Sequence, residues 1–557
     1  MTDTALPSRA QKRRQAKTAS GWLPGVAQVA AAVCLLPMLA VVIAALSGGT
    51  ETISHLGETV LTRYVSTTLM LVLMVAVGTF AMGVGAAWLV TMTRFPGVRF
   101  FEIALVLPLA FPAYVLAYAY THVLDHPGIV QTLLRDMTGW GPRDYWFPEI
   151  RSLGGAAAML ILVLYPYVYL LARAAFLQQS ATTFLAARAL GSSAWAAFFK
   201  ISLPLARPAI AGGVLLAVME TIADFGTVAY FGVQTFATGI YTSWFSMADR
   251  AAAAQLALCL LSFALLLAML ERMQRGRAQY HDPSRRQQTM EPAQLTRRQS
   301  IFAILMCGLP VLFGAVLPVV VLLNMGLGSE QNLLSPRYLG FIQNSLILAT
   351  VAAVLTVGAA VAIGFYQRLV PGRRSSGSAY VARLGYAVPG GVIAVGLLVP
   401  FAAFDNALDA FMRSTFDVST GLLVTGSIWL LVAAYMVRFL AAALGAYEGG
   451  QALVPANMDS AARSLGQTPG GTLRRVHLPI LAPSLLTALL IVFVDVMKEL
   501  PATLIMRPFN YDTLAVQAYR LASDERLEGA AVPSLVIVAI GLLPVVLICR
   551  QVGRQKR

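Results

Sequence analysis

The sequence predicts an all-α integral membrane protein of about twelve transmembrane helices in two parallel six-helix repeats. Three observations carry that expectation. Of the 557 residues, 58% are hydrophobic and only 12% charged, and the mean hydropathy is +0.70; a soluble chain cannot hide so much apolar surface. Apolar runs near the roughly 20 residues needed to cross hydrocarbon recur along the whole chain. One polar sentence is also written twice, as "ARALGSSAWAAFFKISLP" from Ala187 to Pro204 and as "ARSLGQTPGGTLRRVHLP" from Ala462 to Pro479, 275 residues later.

Taken in order, the apolar runs fall at about 22–47, 65–91, 103–121, 153–176, 207–230, 251–270, 301–325, 342–366, 384–403, 421–444, 483–506 and 533–549. None shows the alternation of a membrane barrel, so helices are expected. Pro108, Pro112, Pro166 and Pro389 lie inside spans, where neighbouring helices can satisfy the freed carbonyls. The first run follows a basic head but is too long for a signal-peptide core, so it reads as a retained anchor. This divides the chain into a basic tail (1–21), a first membrane domain (22–270), a linker (271–300), a second membrane domain (301–549) and a short tail (550–557). The linker, "ERMQRGRAQYHDPSRRQQTMEPAQLTRRQS", is polar and charged, and it separates the spans six and six.

The net charge of +15 does not signal nucleic acid, because its placement is topological. With the N-terminus inside, the inward segments carry 28 Lys and Arg, while the outward ones carry 10 against 15 acidic residues. That is the positive-inside bias, and it puts both termini in the cytoplasm. Cys34, Cys259, Cys307 and Cys549 are scattered singly, without metal-ligand spacing.

The halves match beyond the repeated loop. "FPAYVLA" (111–117) corresponds to "VPGGVIA" (388–394), and "METIADFGTV" (219–228) to "VDVMKELPAT" (494–503). A six-span repeat crosses an even number of times, so both copies enter with the same orientation and imply a pseudo-two-fold axis along the membrane normal. Within each loop, "FLAARALG" and "DSAARSLG" favour a short helix. Gly191 and Gly466 stand where such a helix stops in the left-handed conformation, and Pro204 and Pro479 mark re-entry into the next span. The alternative reading is a loop that only tightens a helical hairpin.

At these residues the chain resembles the permease subunits of bacterial ATP-binding-cassette importers, whose "EAA" loop has the pattern Ala-Ala-x-x-Leu-Gly followed at a fixed gap by Leu-Pro. The resemblance covers essentially the whole chain and implies the type I importer (MetI-like) permease fold. It implies that Ala186, Ala187, Arg188, Gly191 and Pro204, and Ala461, Ala462, Arg463, Gly466 and Pro479, belong to coupling helices that dock into a groove on an ATPase subunit. The sequence departs from the family at the initial Glu, which is Leu185 in the first loop and Ser460 in the second, with Asp459 adjacent. The fusion of two halves, with "ADFGTVAYFGV" and "VDVMKELPATL", is most similar to ferric-iron permeases; related permeases carry thiamine, phosphonates or sugar phosphates. The resemblance further implies a homodimeric ATPase that binds ATP and Mg, a periplasmic binding protein delivering cargo to acidic outer loops (125–151 and 512–528), and a bacterial inner-membrane location. The mechanism it implies is rocking of the two halves by ATP-driven closure of the motor.

Four acids lie in the apolar runs: Glu220 and Asp224 in the fifth, Asp495 and Glu499 in the eleventh, each pair spaced i, i+4. An ionised group at mid-bilayer costs about 2.5–3.5 kcal/mol, so these are expected to face the interior. They either line the translocation path between the halves or form a structural network with Lys498, Arg173 or Arg438. The chain has no G-x-x-x-x-G-K-[ST], no H-E-x-x-H and no nucleophile elbow, so it is expected to bind no nucleotide itself and to be no enzyme. A proton-coupled secondary transporter and a multi-span membrane enzyme are the competing classes. The first would not need two matched loops, and the second lacks a catalytic constellation.

Overall fold

The computed structural model describes residues 22–179, 191, 194–276, 292–332 and 334–554. Among them, eleven helices are long and apolar enough to cross a bilayer, and a bent pair, Val98–Ala110 with Ala113–Thr138, supplies a twelfth span broken by 93°. We number the main helices α1 (Trp22–Ser47), α2 (Thr62–Met92), α3 (Val98–Ala104), α4 (Ala113–Leu124), α5 (Ile129–Thr138), α6 (Leu153–Gln178), α7 (Leu203–Ala223), α8 (Gly226–Tyr230), α9 (Arg250–Gly276) and α10 (Arg297–Val311). The series continues with α11 (Leu317–Gly328), α12 (Pro336–Leu369), α13 (Arg373–Leu384), α14 (Gly390–Phe416), α15 (Ile428–Gln451), α16 (Ala456–Ser464), α17 (Leu478–Met497), α18 (Pro501–Met506), α19 (Leu514–Ser523) and α20 (Leu527–Arg554). The only strand pairing among the described residues is a two-residue parallel bridge, Thr93–Arg94 with Ala293–Gln294. Helices prevail because a backbone in hydrocarbon must satisfy its own polar groups.

Three expectations need correction. The runs at 103–121, 207–230 and 483–506 are not continuous helices. The first breaks at Phe111–Pro112, where Pro112 has extended backbone and starts α4. The other two break after Ala223 and after Met497, giving the short helices α8 and α18. Membrane re-entry does not begin at Leu-Pro either. A wide helical turn precedes it in both halves, Phe198–Ser202 and Leu473–His477, closed by Leu203 N–H to Phe198 O and Leu478 N–H to Leu473 O. Pro204 and Pro479 bring no N–H to the first turn of α7 and α17, and the wide turn re-pairs the carbonyls beside them.

The compact units also differ from the sequence domains 22–270 and 301–549. One unit comprises Met1–Gly49, Asp249–Leu261 and Gly340–Thr513; the other comprises Thr50–Ala248, Ser262–Leu339 and Leu514–Arg557. Each therefore recruits helices from both sequence halves, because an apolar helix packs wherever its surface fits and hydropathy does not specify the partner. In the first unit, α1 packs on α13, α14 and α15. Its approach to α14 is so close that a Cβ on Gly396 would sit 2.3 Å from the Pro37 carbonyl oxygen. In the second unit, α2 and α7 both press on α6: Cβ atoms at Gly83 and Gly213 would lie 2.7 and 2.8 Å from Val168. There α20 packs on α11 and α4, and Tyr120 donates to the Phe313 carbonyl at 2.7 Å.

The repeat is visible in equivalent ion pairs. Arg173 of α6 bonds Glu102 of α3 at 2.8 Å. At the position 275 residues on from Arg173, Glu448 of α15 pairs with Arg383 of α13. The same two helices of the repeat are thus joined by a pair whose charges are exchanged.

Candidate functional site

The second loop is described in full. α16 follows Pro455, its N-cap, and ends in a Schellman motif: Gly466 N–H bonds Arg463 O at 2.9 Å and Gln467 N–H bonds Ala462 O at 3.0 Å. This closure requires a left-handed residue at position 466, and Gly466 supplies φ +77. Ala461, Arg463 and Gly466 are exposed while Ala462 is buried, and Leu465 and Leu453 stand 80% and 76% exposed beside them. The loop therefore presents an apolar and basic outer face. Its inner face is held by Asp459, whose carboxylate accepts from Arg368 Nε at 2.7 Å and contacts His477 Nε2 at 2.6 Å. Burial alone would raise the Asp459 carboxyl; the hydrogen bonds and charges of Arg368 and His477 outweigh it and hold the group below the ordinary carboxylate range.

Of the first loop, Gly191 has φ +84 and is exposed, matching Gly466, and Pro204 occupies the first turn of α7 as Pro479 does in α17. Ala186, Ala187 and Arg188 lie outside the described residues.

The four acids sit at the two helix breaks. Asp224 directly follows α7, and its carboxylate accepts from Thr227 N–H (3.1 Å), Val228 N–H (3.2 Å) and the Thr227 hydroxyl (3.0 Å). Glu499 stands at the corresponding place after α17 and accepts from Ala502 N–H (3.0 Å), Thr503 N–H (3.0 Å) and the Thr503 hydroxyl (2.7 Å). Each carboxylate thus satisfies the opening N–H groups of the short helix beyond it, α8 or α18. Inside a membrane those donors would otherwise cost several kcal/mol each. Around Glu499 the Tyr435 hydroxyl meets Thr503 Oγ1 at 2.6 Å, and Arg438 Nη1 lies 3.9 Å from the carboxylate. Gly390, the first residue of α14, leaves just enough room: a Cβ there would lie 2.7 Å from Glu499 Oε1 and 2.9 Å from Arg438 Nη1. One turn before the caps, Glu220 is half-buried and Asp495 pairs with Lys498 at 2.9 Å. Asp224 and Glu499 therefore do not share a continuous helix face with Glu220 and Asp495, because the helix ends between the members of each pair.

In the second compact unit Arg151 bonds Asp125 at 3.0 Å, holds Glu525 in a bidentate pair at 2.7 and 2.8 Å and stacks over the Tyr230 ring at 5.1 Å. The hydrogen bond from Arg151 lowers the Glu525 carboxyl. Among the described residues no three His, Cys, Asp or Glu side chains form a group able to hold a metal ion.

The chain matches the family described as binding-protein-dependent transport system inner membrane component over residues 80–278 and again over 355–555. It belongs to that family. The Fe(3+)-transport system permease protein FbpB 2 of Haemophilus influenzae is 26% identical over 527 residues, covering 92% of this chain and 95% of that protein. The ferric transport system permease protein FbpB of Actinobacillus pleuropneumoniae is 24% identical over 89% of this chain and 72% of its own length. The molybdenum transport system permease protein ModB of Escherichia coli is 29% identical over 34% of this chain and 81% of its own length. The permease fold, the tandem repeat and the multi-pass membrane class are thereby established for the chain.

Within this inner-membrane component, two of the three basic residues suggested as partners for the acids do face them: Lys498 pairs with Asp495 and Arg438 lies beside Glu499, whereas Arg173 bonds Glu102. Sequence reasoning missed Arg368, His477 and Gly390. Gly390 had a signal, since it stands in the repeated "VPGG" where the first half reads "FPAY". Arg368 had none, because 91 residues separate it from Asp459.

Proposed function

We propose that this permease is the membrane-spanning subunit of an ATP-driven importer of ferric iron, with N- and C-termini in the cytoplasm. A separate dimeric ATPase binds ATP and Mg and docks on the loops built around Gly191 and Gly466, and the chain itself hydrolyses nothing. A periplasmic binding protein delivers the cargo to the outer loops that carry Asp125, Arg151 and Glu525. The observation that carries the reading is the twofold occurrence of the left-handed glycine, wide turn and first-turn proline at a single 275-residue offset. Two levers of one design suit a symmetric motor. Support for iron comes from the ferric permeases above, which align with nearly the whole chain; the molybdenum relative aligns with a third of it.

In this mechanism the exposed faces of the loops take up the motor's closure, and α7 and α17, which follow the loops directly, carry it into the membrane. Asp224 and Glu499 keep the breaks at the ends of those helices rigid by capping α8 and α18. Glu220 and Asp495, one turn away, are the acids we assign to the path. Co-reconstitution with the ATPase and the binding protein tests the proposal. Radiolabelled ferric iron should accumulate only with ATP and all three components. Accumulation by the lone chain, or ATP-dependent uptake of molybdate, a phosphonate or thiamine in place of iron, would overturn the motor or the cargo respectively. Glu220→Gln and Asp495→Asn should slow uptake while leaving the thermal midpoint in place; Asp224→Asn and Glu499→Gln should lower that midpoint.

A further inference from the structure

Both loops carry a left-handed glycine, and the second also has an ionic attachment. In the second, three helices and a turn converge on one ionic junction. Arg368, in the last turn of α12, sends Nε to Asp459 of α16 at 2.7 Å and Nη2 to the carbonyls of Val454 and Pro455 at 2.9 and 3.1 Å, with Nη1 3.4 Å from Gln451 O. The guanidinium therefore satisfies carbonyls at the end of α15 while it holds the start of α16. Asp459 turns its other oxygen to His477, which is fully buried just before α17 and packs edge-on against Phe365 at 5.0 Å. Phe365 and Arg368 are one turn apart on α12, so a single face of that helix grips the loop through both an apolar and an ionic contact. A carboxylate only accepts, so His477 Nε2 carries the proton of this bond; Nδ1 is buried without a partner.

The residue types at the corresponding positions of the first half cannot build this junction. Thr91, in the matching last turn of α2, bonds Ala87 O in its own helix at 2.7 Å. Ser202 stands for His477, and its carbonyl takes the Gln179 side chain at 2.8 Å. Phe184, 275 residues before Asp459, has no group to offer a charge.

We propose that Arg368, Asp459 and His477 are positioning residues that clamp the second coupling helix to α12 and α17, making it a stiff lever of the permease. The proposal rests on the coupling role assigned above. A stiff link converts displacement of α16 into displacement of α17; a slack one lets the motor turn without moving the membrane helices. Losing the clamp should therefore uncouple the motor from transport while leaving the motor active.

The test uses the full chain reconstituted with the ATPase and the iron-loaded binding protein, reading ATP hydrolysed per iron imported. Asp459→Asn should raise that ratio roughly tenfold, within the range of ordinary coupling energies, with the complex intact on gel filtration and hydrolysis near the unmodified rate. His477→Gln, which keeps a donor toward Asp459, should leave the ratio close to normal, as should Thr91→Val in the first half. If Asp459→Asn does not assemble because Arg368 is left buried and unpaired, the double variant Arg368→Met/Asp459→Asn, which strands no charge, is read by the same criterion. An unchanged ratio in the assembled variant overturns the clamp, as does an equal rise with Thr91→Val. The coupling reading fails separately: Gly191→Pro combined with Gly466→Pro would then leave uptake undiminished.

Discussion

Gly390 packs closely against Glu499, and the fit yields a prediction with its own rescue. An alanine at position 390 would place Cβ 2.7 Å from Glu499 Oε1, 2.9 Å from Arg438 Nη1 and 3.3 Å from Ala502 N, where ordinary contact begins near 3.4 Å. The carboxylate cannot swing aside without releasing two backbone N–H bonds and the Thr503 hydroxyl. Overpacking a buried site in this way costs about 1–3 kcal/mol. The first half indicates the remedy: at the corresponding positions it carries Ala113 and Asp224, a larger residue together with a carboxylate side chain shorter by one methylene. Gly390→Ala should therefore lower the thermal midpoint, Glu499→Asp should lower it by loosening the cap on α18, and the double variant should regain much of the loss. An interaction energy of about 1 kcal/mol or more is expected for two residues in direct contact. The assay is thermal unfolding in detergent followed by a thiol-reactive dye, since Cys34 and Cys307 are buried. Gly358→Ala serves as control: no atom lies within 4 Å of its Cβ, so it should be neutral or stabilising by up to about 1 kcal/mol. Strictly additive effects of the two substitutions, or a Gly390→Ala as benign as Gly358→Ala, would refute the steric argument.

Other predictions follow from the same geometry. Gly466→Ala imposes left-handed strain of about 1–2 kcal/mol on the end of α16 and should reduce uptake; Gly466→Asn should reduce it less, because Asn tolerates that conformation. The Asp459 carboxyl lies below its unfolded value in the folded chain, so its stabilising contribution is fully present above about pH 4 and is lost as the pH falls through the folded value. The thermal midpoint of Asp459→Asn should accordingly fall less steeply than that of the unmodified chain on the acid side. Arg151→Ala breaks pairs with Asp125 and Glu525 that are partly exposed, so its effect on stability should be small and should shrink further in high salt; a large, salt-independent loss would mean that the Tyr230 contact dominates.

How much could be read in advance follows from what hydropathy encodes. Span number, helical class and the tandem repeat were legible, because each needs only apolar length and the recurrence of polar residues. The breaks were not, since apolar residues continue through Asp224 and Glu499 and a running average passes over them. A finer signal was present: an acid followed by Phe-Gly-Thr or Leu-Pro-Ala has the form of a helix start rather than a helix middle. The wide turns before Pro204 and Pro479 were hidden because proline marks a first turn without saying what precedes it. Gly191 and Gly466 were readable as left-handed stops because that need is local. The junction of Arg368, Asp459 and His477 was illegible for the opposite reason: Arg368 stands 91 residues from Asp459, and all three residues are ordinary in type.

The packing of α1 on α14 has a consequence for how the chain is made. α1 leaves the ribosome well before α14, since the surface that receives Pro37 begins at Gly390, 343 residues after Ser47. At about 5–20 residues per second, α1 waits roughly 17–70 s in the bilayer before its partner has been synthesised. Throughout that interval lipid must stand in for α14, which suits a helix as free of charge as α1. Biogenesis should therefore be more sensitive to a polar substitution on α1 than the packing of the finished protein alone would suggest.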